Sequence, residues 1–139
     1  MGKINWGRVF LGGLLAGVVF GALGAVNLFF FKEDWSAALE PLGRPLEITA
    51  GWLVYGSILW LVLGIWAVWL YAAIRPRYGP GPKTAAYAGV ALWFICALAD
   101  AAWASMVPIP IGLLATIVAV YLPVIVVATV AGAWLYKEE

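Results

Sequence analysis

The sequence contains no histidine, a single cysteine and few charged residues. Of its 139 residues, 65% are hydrophobic and only 11% are charged, which is too little charged surface to solvate a globule of this size in water. The absence of histidine removes the commonest metal ligand and the usual general base near neutral pH. We therefore expect a membrane protein that has no cofactor and is not an enzyme.

The lone cysteine, Cys96, cannot form an intramolecular disulfide. It lies in a hydrophobic segment, where a thiol packs as a small apolar side chain. The net charge of +1 argues against nucleic acid as a partner, because nucleic-acid binding needs a broad basic surface. Membrane lipids are the expected surroundings.

Four hydrophobic segments are long enough to cross a bilayer, whose hydrocarbon core of about 30 Å needs about 20 helical residues. These segments are Val9–Phe31, Ile48–Ile74, Ala85–Val107 and Ile111–Tyr136. An open sheet would leave unpaired edges in lipid. We therefore predict an all-α membrane protein, a single domain over residues 1–139 that forms a bundle of four transmembrane helices.

Basic residues near the ends of membrane spans are retained in the cytoplasm during insertion. Six of the eight lysines and arginines lie on the side that holds both termini and the turn between the second and third spans. Only Lys32 and Arg44 lie on the other side. We therefore predict cytoplasmic N- and C-termini and an external segment Lys32–Glu47.

Three of the six basic residues lie in the proline-rich turn between the second and third spans: Arg75, Arg77 and Lys83. Cations at the inner headgroup plane attract anionic lipids. The simpler interpretation is that they only set the topology, and both interpretations stay open at this point.

The external segment has a helical pattern of its own. Asp34 is a candidate N-cap, and it is followed by apolar residues at helical spacing: Trp35, Ala38, Leu39 and Leu42. We predict a short helix that lies on the outer membrane surface and ends at Pro41 and Gly43.

Small residues recur at every fourth position of the first span: Gly13, Gly17, Gly21 and Ala25. Such a ladder allows another helix backbone to approach closely. Four residues advance about 400° around a helix, so the ladder drifts by about 40° per step and favours a crossing partner. That partner is either another span of the same chain or a second copy in a homo-oligomer. A second small face beside the ladder contains Gly12, Ala16 and Gly24.

Asp100 is the only carboxylate well inside a predicted span, and a charge at that depth should face protein or water. At about 1.5 Å per residue, Thr116 on the antiparallel fourth span lies at the same depth. The same count places Asn27 and Ser57 or Tyr55 near that level. We predict a polar cluster of these five residues that staples the helices together.

Three large aromatic residues lie near the middle of their spans: Trp60, Trp93 and Tyr121. We expect them to fill the core, and an aromatic slot for a quinone, a pigment or a lipid tail is the alternative. Pro123 cannot donate a hydrogen bond to the carbonyl of Ala119, so a kink is predicted in the fourth span.

A resemblance rests on three segments: Ile4-Asn5-Trp6 before a span rich in glycine and alanine, the stretch from Phe31 to Gly43, and the turn from Ala73 to Ala85. In these the chain resembles uncharacterised small bacterial four-helix membrane proteins, a family of unknown function. The resemblance covers nearly the whole chain. It implies a location in the bacterial inner membrane and no particular activity.

Two classes of function fit the sequence. The first is a structural or accessory membrane protein that packs as a homo-oligomer or as a subunit of a larger membrane complex. The second is a small channel or carrier for an ion or small molecule, with Asp100 as the working group. An enzyme comes third, because Asp100 without histidine or a second buried acid supplies no acid–base pair.

Overall fold

The computed structural model describes residues 3–43, 46–107 and 109–138, and in these ranges it contains no strand. Its α-helices are α1 (Trp6–Leu39), α2 (Ala50–Tyr78), α3 (Pro82–Ala104) and α4 (Ile111–Ala133), and a 3₁₀ turn at Glu40–Leu42 follows α1. All four α-helices are long and apolar enough to cross a membrane. The prediction of an all-α protein with four membrane-length helices is therefore confirmed.

Side-chain hydrogen bonds cap the N-termini of α1 and α2. The Asn5 side chain accepts a hydrogen bond from the backbone N–H of Arg8 at 3.0 Å and caps α1. Thr49 caps α2 in the same way, through the backbone N–H of Trp52 at 3.2 Å. Pro82 is the first residue of α3, a position where the missing N–H is not needed. These starts are encoded by residues with established preferences for helix N-termini.

The predicted surface helix does not appear as a separate element. Residues 34–39 are helical, but they continue α1, which runs for 34 residues from Trp6 to Leu39. No glycine or proline interrupts the chain between Gly24 and Pro41, so nothing stops the helix before that proline. At 1.5 Å per residue α1 is about 51 Å long and exceeds the thickness of a hydrocarbon core. The chain then turns at Gly43, whose φ of 64° is left-handed. Arg44 lies outside the described residues.

The turn between α2 and α3 is shorter than the proline-rich sequence indicates. The helix continues through Pro76 to Tyr78, and only three residues, 79–81, join it to α3. Gly79 and Gly81 have φ values of 83° and 130°, which favour glycine. In the same way α4 continues through Pro123.

Each helix packs against two or three others. Within the described residues α1 contacts α2 and α4 but not α3, whereas α2 and α4 contact each other across the bundle. The consecutive helices α3 and α4 pack together, as their short connection predicts. The result places α1 and α3 at opposite corners.

The core lies in one half of the bundle. We call the half with the chain ends and the α2–α3 turn the tight half, and the other the open half. No residue of α2 before Gly64 is buried, and none of α3 after Leu92. The largest fully buried side chains all pack in the tight half or at its edge: Phe20, Val9, Val68 and Thr129.

Glycine backbones explain why the tight half is tight. A Cβ atom on Gly17 would lie 2.6 Å from the Cα of Leu61, and one on Gly64 would clash with the backbone of Gly13 and Gly17. Because real Cβ contacts are longer, α1 and α2 can approach this closely only without side chains. A Cβ on Gly12 would likewise clash with the Gly132 carbonyl of α4.

Only part of the predicted small-residue ladder serves this contact. Gly13 and Gly17 pack on α2, but a Cβ on Gly21 would meet only the Trp60 side chain at 3.9 Å, and Ala25 is exposed. The drift of about 40° per step carries the ladder about 120° around α1 between Gly13 and Ala25. The buried face instead continues at three- and four-residue spacing through Phe20, Gly24 and Asn27.

We expect Gly17→Ala to destabilise the protein by about 1–3 kcal/mol, the usual cost of overpacking. Its methyl group would meet backbone atoms of Leu61 and Trp60, which cannot turn aside. The matched control is Gly21→Ala, the same change one step along the ladder, where there is room for a methyl group. Thermal unfolding in detergent measures both. Equal losses of melting temperature would contradict the assigned contact.

Candidate functional site

A groove of about 330 Å³ opens where the helices separate. It lies between α3 and α4, with one residue of α1 and two of α2 completing its walls. The lining is mostly apolar and rich in aromatic side chains: Trp35, Trp60, Leu63, Trp93, Cys96, Ala97, Asp100, Trp103, Ile109, Leu114, Ile117, Val118, Tyr121 and Ile125. This groove is the candidate functional site.

Stacked aromatic rings stand at the border between the tight and open halves. The rings of Phe20 and Trp60 stack with centroids 6.0 Å apart, and those of Trp60 and Tyr121 stack at 5.9 Å. Together they join α1, α2 and α4. The sequence predicted that Trp60 and Tyr121 fill the core, and the structure shows that they also line the groove.

Trp93 fixes the wall formed by α3 and α4. Its indole N–H donates a hydrogen bond of 2.8 Å to the backbone carbonyl of Val118. Pro123 has no N–H, so the neighbouring carbonyl of Ala119 lacks its usual helical donor. The Trp93 bond thus strengthens α4 next to the turn that proline weakens, and it directs the remaining indole surface along the groove.

Among the described residues of the lining, Asp100 is the one acidic side chain. It shares one face of α3 with Trp93, Cys96 and Trp103, which lie seven, four and three residues away from it along the chain. No salt bridge or side-chain hydrogen bond of the described residues involves its carboxylate; the ion pair they contain joins Arg75 to Glu138. Lys32 is exposed. Asp100 is therefore an exposed residue whose carboxylate borders an aromatic groove.

The predicted polar cluster is not joined by hydrogen bonds among the described residues. Asn27 is 7% exposed, and its Nδ2 atom has no hydrogen-bond partner. The Thr116 hydroxyl donates to the carbonyl of Gly112 in its own helix. Ser57 is exposed and Tyr55 is 63% exposed. Of the five residues, only Asp100 lines the groove.

Helix rotation explains this outcome. The rise per residue places Thr116 at the depth of Asp100, but it does not say which way a side chain points. The face of α4 that lines the groove contains Leu114, Val118 and Tyr121, and Thr116 lies about 160° around the helix from Val118. The spacing of Trp93, Asp100 and Trp103 on α3 is the sequence signal that points to the groove.

At the other end of the bundle, the three basic residues of the predicted headgroup site differ in their burial and in their contacts. Arg75 is partly buried; its Nη1 lies 3.5 Å from Oε1 of Glu138, and its guanidinium lies 5.5 Å from the ring centroid of Tyr136. This is an ion pair without hydrogen-bond geometry. Arg77 and Lys83 are exposed. Arg75 thus ties α2 to the C-terminal segment, whereas Arg77 and Lys83 stay accessible to headgroups, with the Lys83 ammonium 5.9 Å from the ring centroid of Tyr87.

Comparison with known proteins gives no relative. No protein-family model, no curated protein and no solved structure matches this chain.

Proposed function

We propose that the protein is a structural or accessory membrane protein that assembles through an exposed face of α4, either with copies of itself or with a larger membrane complex. We place it in the bacterial inner membrane with both termini in the cytoplasm. Four membrane-length apolar helices support a multi-pass membrane protein. The observation that carries the proposal is an exposed face of small residues on α4.

This face, which we call the small face, contains Gly112, Thr116, Ala119 and Pro123, all of which are exposed. At 100° per residue they fall within a sector of about 60°. A Cβ on Gly112 would meet no atom within 4 Å. By contrast, other helices of the same chain already pack against Gly12 and Gly17 in the tight half.

Two properties of the small face favour a protein helix over lipid. Small side chains let a second backbone approach closely, and such contacts drive helix association in lipid. The face also contains the Ala119 carbonyl, which Pro123 leaves without its helical donor. In transmembrane helices, neighbouring helices commonly satisfy carbonyls freed in this way.

We expect Ala119→Leu to lower the assembled fraction severalfold without lowering the melting temperature, because the leucine fills space outside the bundle. The matched control is Ala91→Leu, the same change at an exposed position of α3. Native mass spectrometry from mild detergent measures the assembled species. A strictly monomeric wild-type protein with nothing co-purifying would contradict the proposal, as would equal assembly in both variants.

The proposed orientation follows from the distribution of lysine and arginine. In a background where Cys96 is replaced, a cysteine at Ser36 should react with a membrane-impermeant reagent in intact cells. A cysteine at Tyr78, which is 61% exposed at the opposite end, should react only after the cells are opened. The reverse pattern would overturn the orientation.

A small carrier is the second candidate function, and the position of Asp100 in the groove favours it. A membrane carboxylate that borders a cavity is typical of ion and substrate pathways. Under this candidate Asp100→Asn abolishes ion- or proton-coupled flux in liposomes at unchanged melting temperature. Normal flux in that variant would exclude Asp100 as the working group.

A further inference from the structure

The groove combines one carboxylate with several aromatic faces. We infer that it is a binding site for an organic cation with apolar substituents, such as a substituted ammonium or phosphonium ion. The site belongs to the second candidate function, but the inference concerns equilibrium binding, so it stands or fails separately from transport.

Charge complementarity is the first argument. The carboxylate of Asp100 lies in a lining that is otherwise apolar or aromatic, and no cation of the described residues pairs with it. Asp100 is exposed, and in the proposed bilayer an exposed charge is unfavourable unless an opposite charge or hydrogen-bond donors meet it. A ligand with one positive charge would supply the missing partner.

The aromatic residues supply the second argument. Trp93 and Trp103 of α3 and Tyr121 of α4 line the groove, and cations are attracted to aromatic faces within about 6 Å of the ring centroid. Trp60 also lines the groove, but its ring already stacks with both Phe20 and Tyr121. The indole N–H of Trp93 is already bound to Val118. That indole therefore offers its ring and not a donor.

A metal ion fits this groove poorly. Calcium takes about six to eight oxygen ligands, whereas the lining has a single carboxylate. Within the described residues no three His, Cys, Asp or Glu side chains come together as a metal site.

The groove volume of about 330 Å³ lies in the range of small-molecule pockets, about 300–1,000 Å³. An organic ion of this size would fill it.

The groove and the small face lie on opposite sides of α4. The groove residues Leu114, Val118 and Tyr121 are centred about 180° from Gly112 and Ala119. Assembly through the small face therefore leaves the groove accessible. Loss of assembly in Ala119→Leu and loss of ligand binding are separate results.

The experiment uses the full chain in a nonionic detergent and two probes of matched shape, the cation tetraphenylphosphonium and the anion tetraphenylborate. Equilibrium dialysis against empty micelles measures specific binding. We expect saturable binding of the cation, weak binding of the anion, and affinity at least about tenfold lower in Asp100→Asn, which loses the charge with little change of shape. Glu33→Gln removes an exposed charge outside the groove and should bind normally.

Melting temperatures show whether each variant is folded. If Asp100→Asn is unstable, Trp103→Leu decides, because this aromatic residue is 62% exposed and its loss should weaken cation binding severalfold. Equal binding of the two probes would show that the groove selects only apolar shape and would overturn the inference. Unchanged cation affinity in a folded Asp100→Asn, or displacement of the probe by millimolar sodium, would overturn it as well.

Discussion

Close backbone contact of α1 with α2 and α4 holds the bundle together. Lipid tails are as apolar as leucine, so no hydrophobic force drives these helices together and packing must do so. Gly17 against Gly64, and Gly12 against Gly132, remove the side chains that would hold the backbones apart. Hydrogen bonds at the same end add to this packing, including the bond of 3.2 Å from the Gly81 N–H to the Tyr71 hydroxyl.

Side-chain size also explains the open half, where large residues stand in place of glycine. The helices separate where they contain Trp60, Trp93 and Trp103, and a groove lies between them. The rings of Trp60 and Tyr121 stack at the end of the groove next to the tight half, and Asp100 lines the groove as well. The open half therefore places a carboxylate beside an aromatic groove, and the small face of α4 lies on the other side of the same helix.

Helix number and helix type followed from the sequence, because hydrophobic length and the demands of a bilayer leave few alternatives. Rotation about the helix axis did not follow. Depth alone placed Thr116 beside Asp100, although the structure turns it to the opposite face. The ladder of α1 failed beyond Gly17 for a related reason, since a step of four residues drifts around the helix while the true contact alternates steps of three and four. The continuity of α1 beyond Phe31 was missed because a pattern of its own in residues 34–42 resembled a second helix.

Methyl NMR in nanodiscs can distinguish the tight half of the bundle from the open half. Dissolved oxygen partitions into the bilayer and enhances the relaxation of methyl groups that it can reach. We predict strongly enhanced methyl relaxation for the groove residues Leu63, Leu114 and Val118. We predict little enhancement for Val9 and Val68, which are fully buried in the tight half. Equal protection of both sets of methyl groups would show a bundle that is closed along its whole length and would contradict the account.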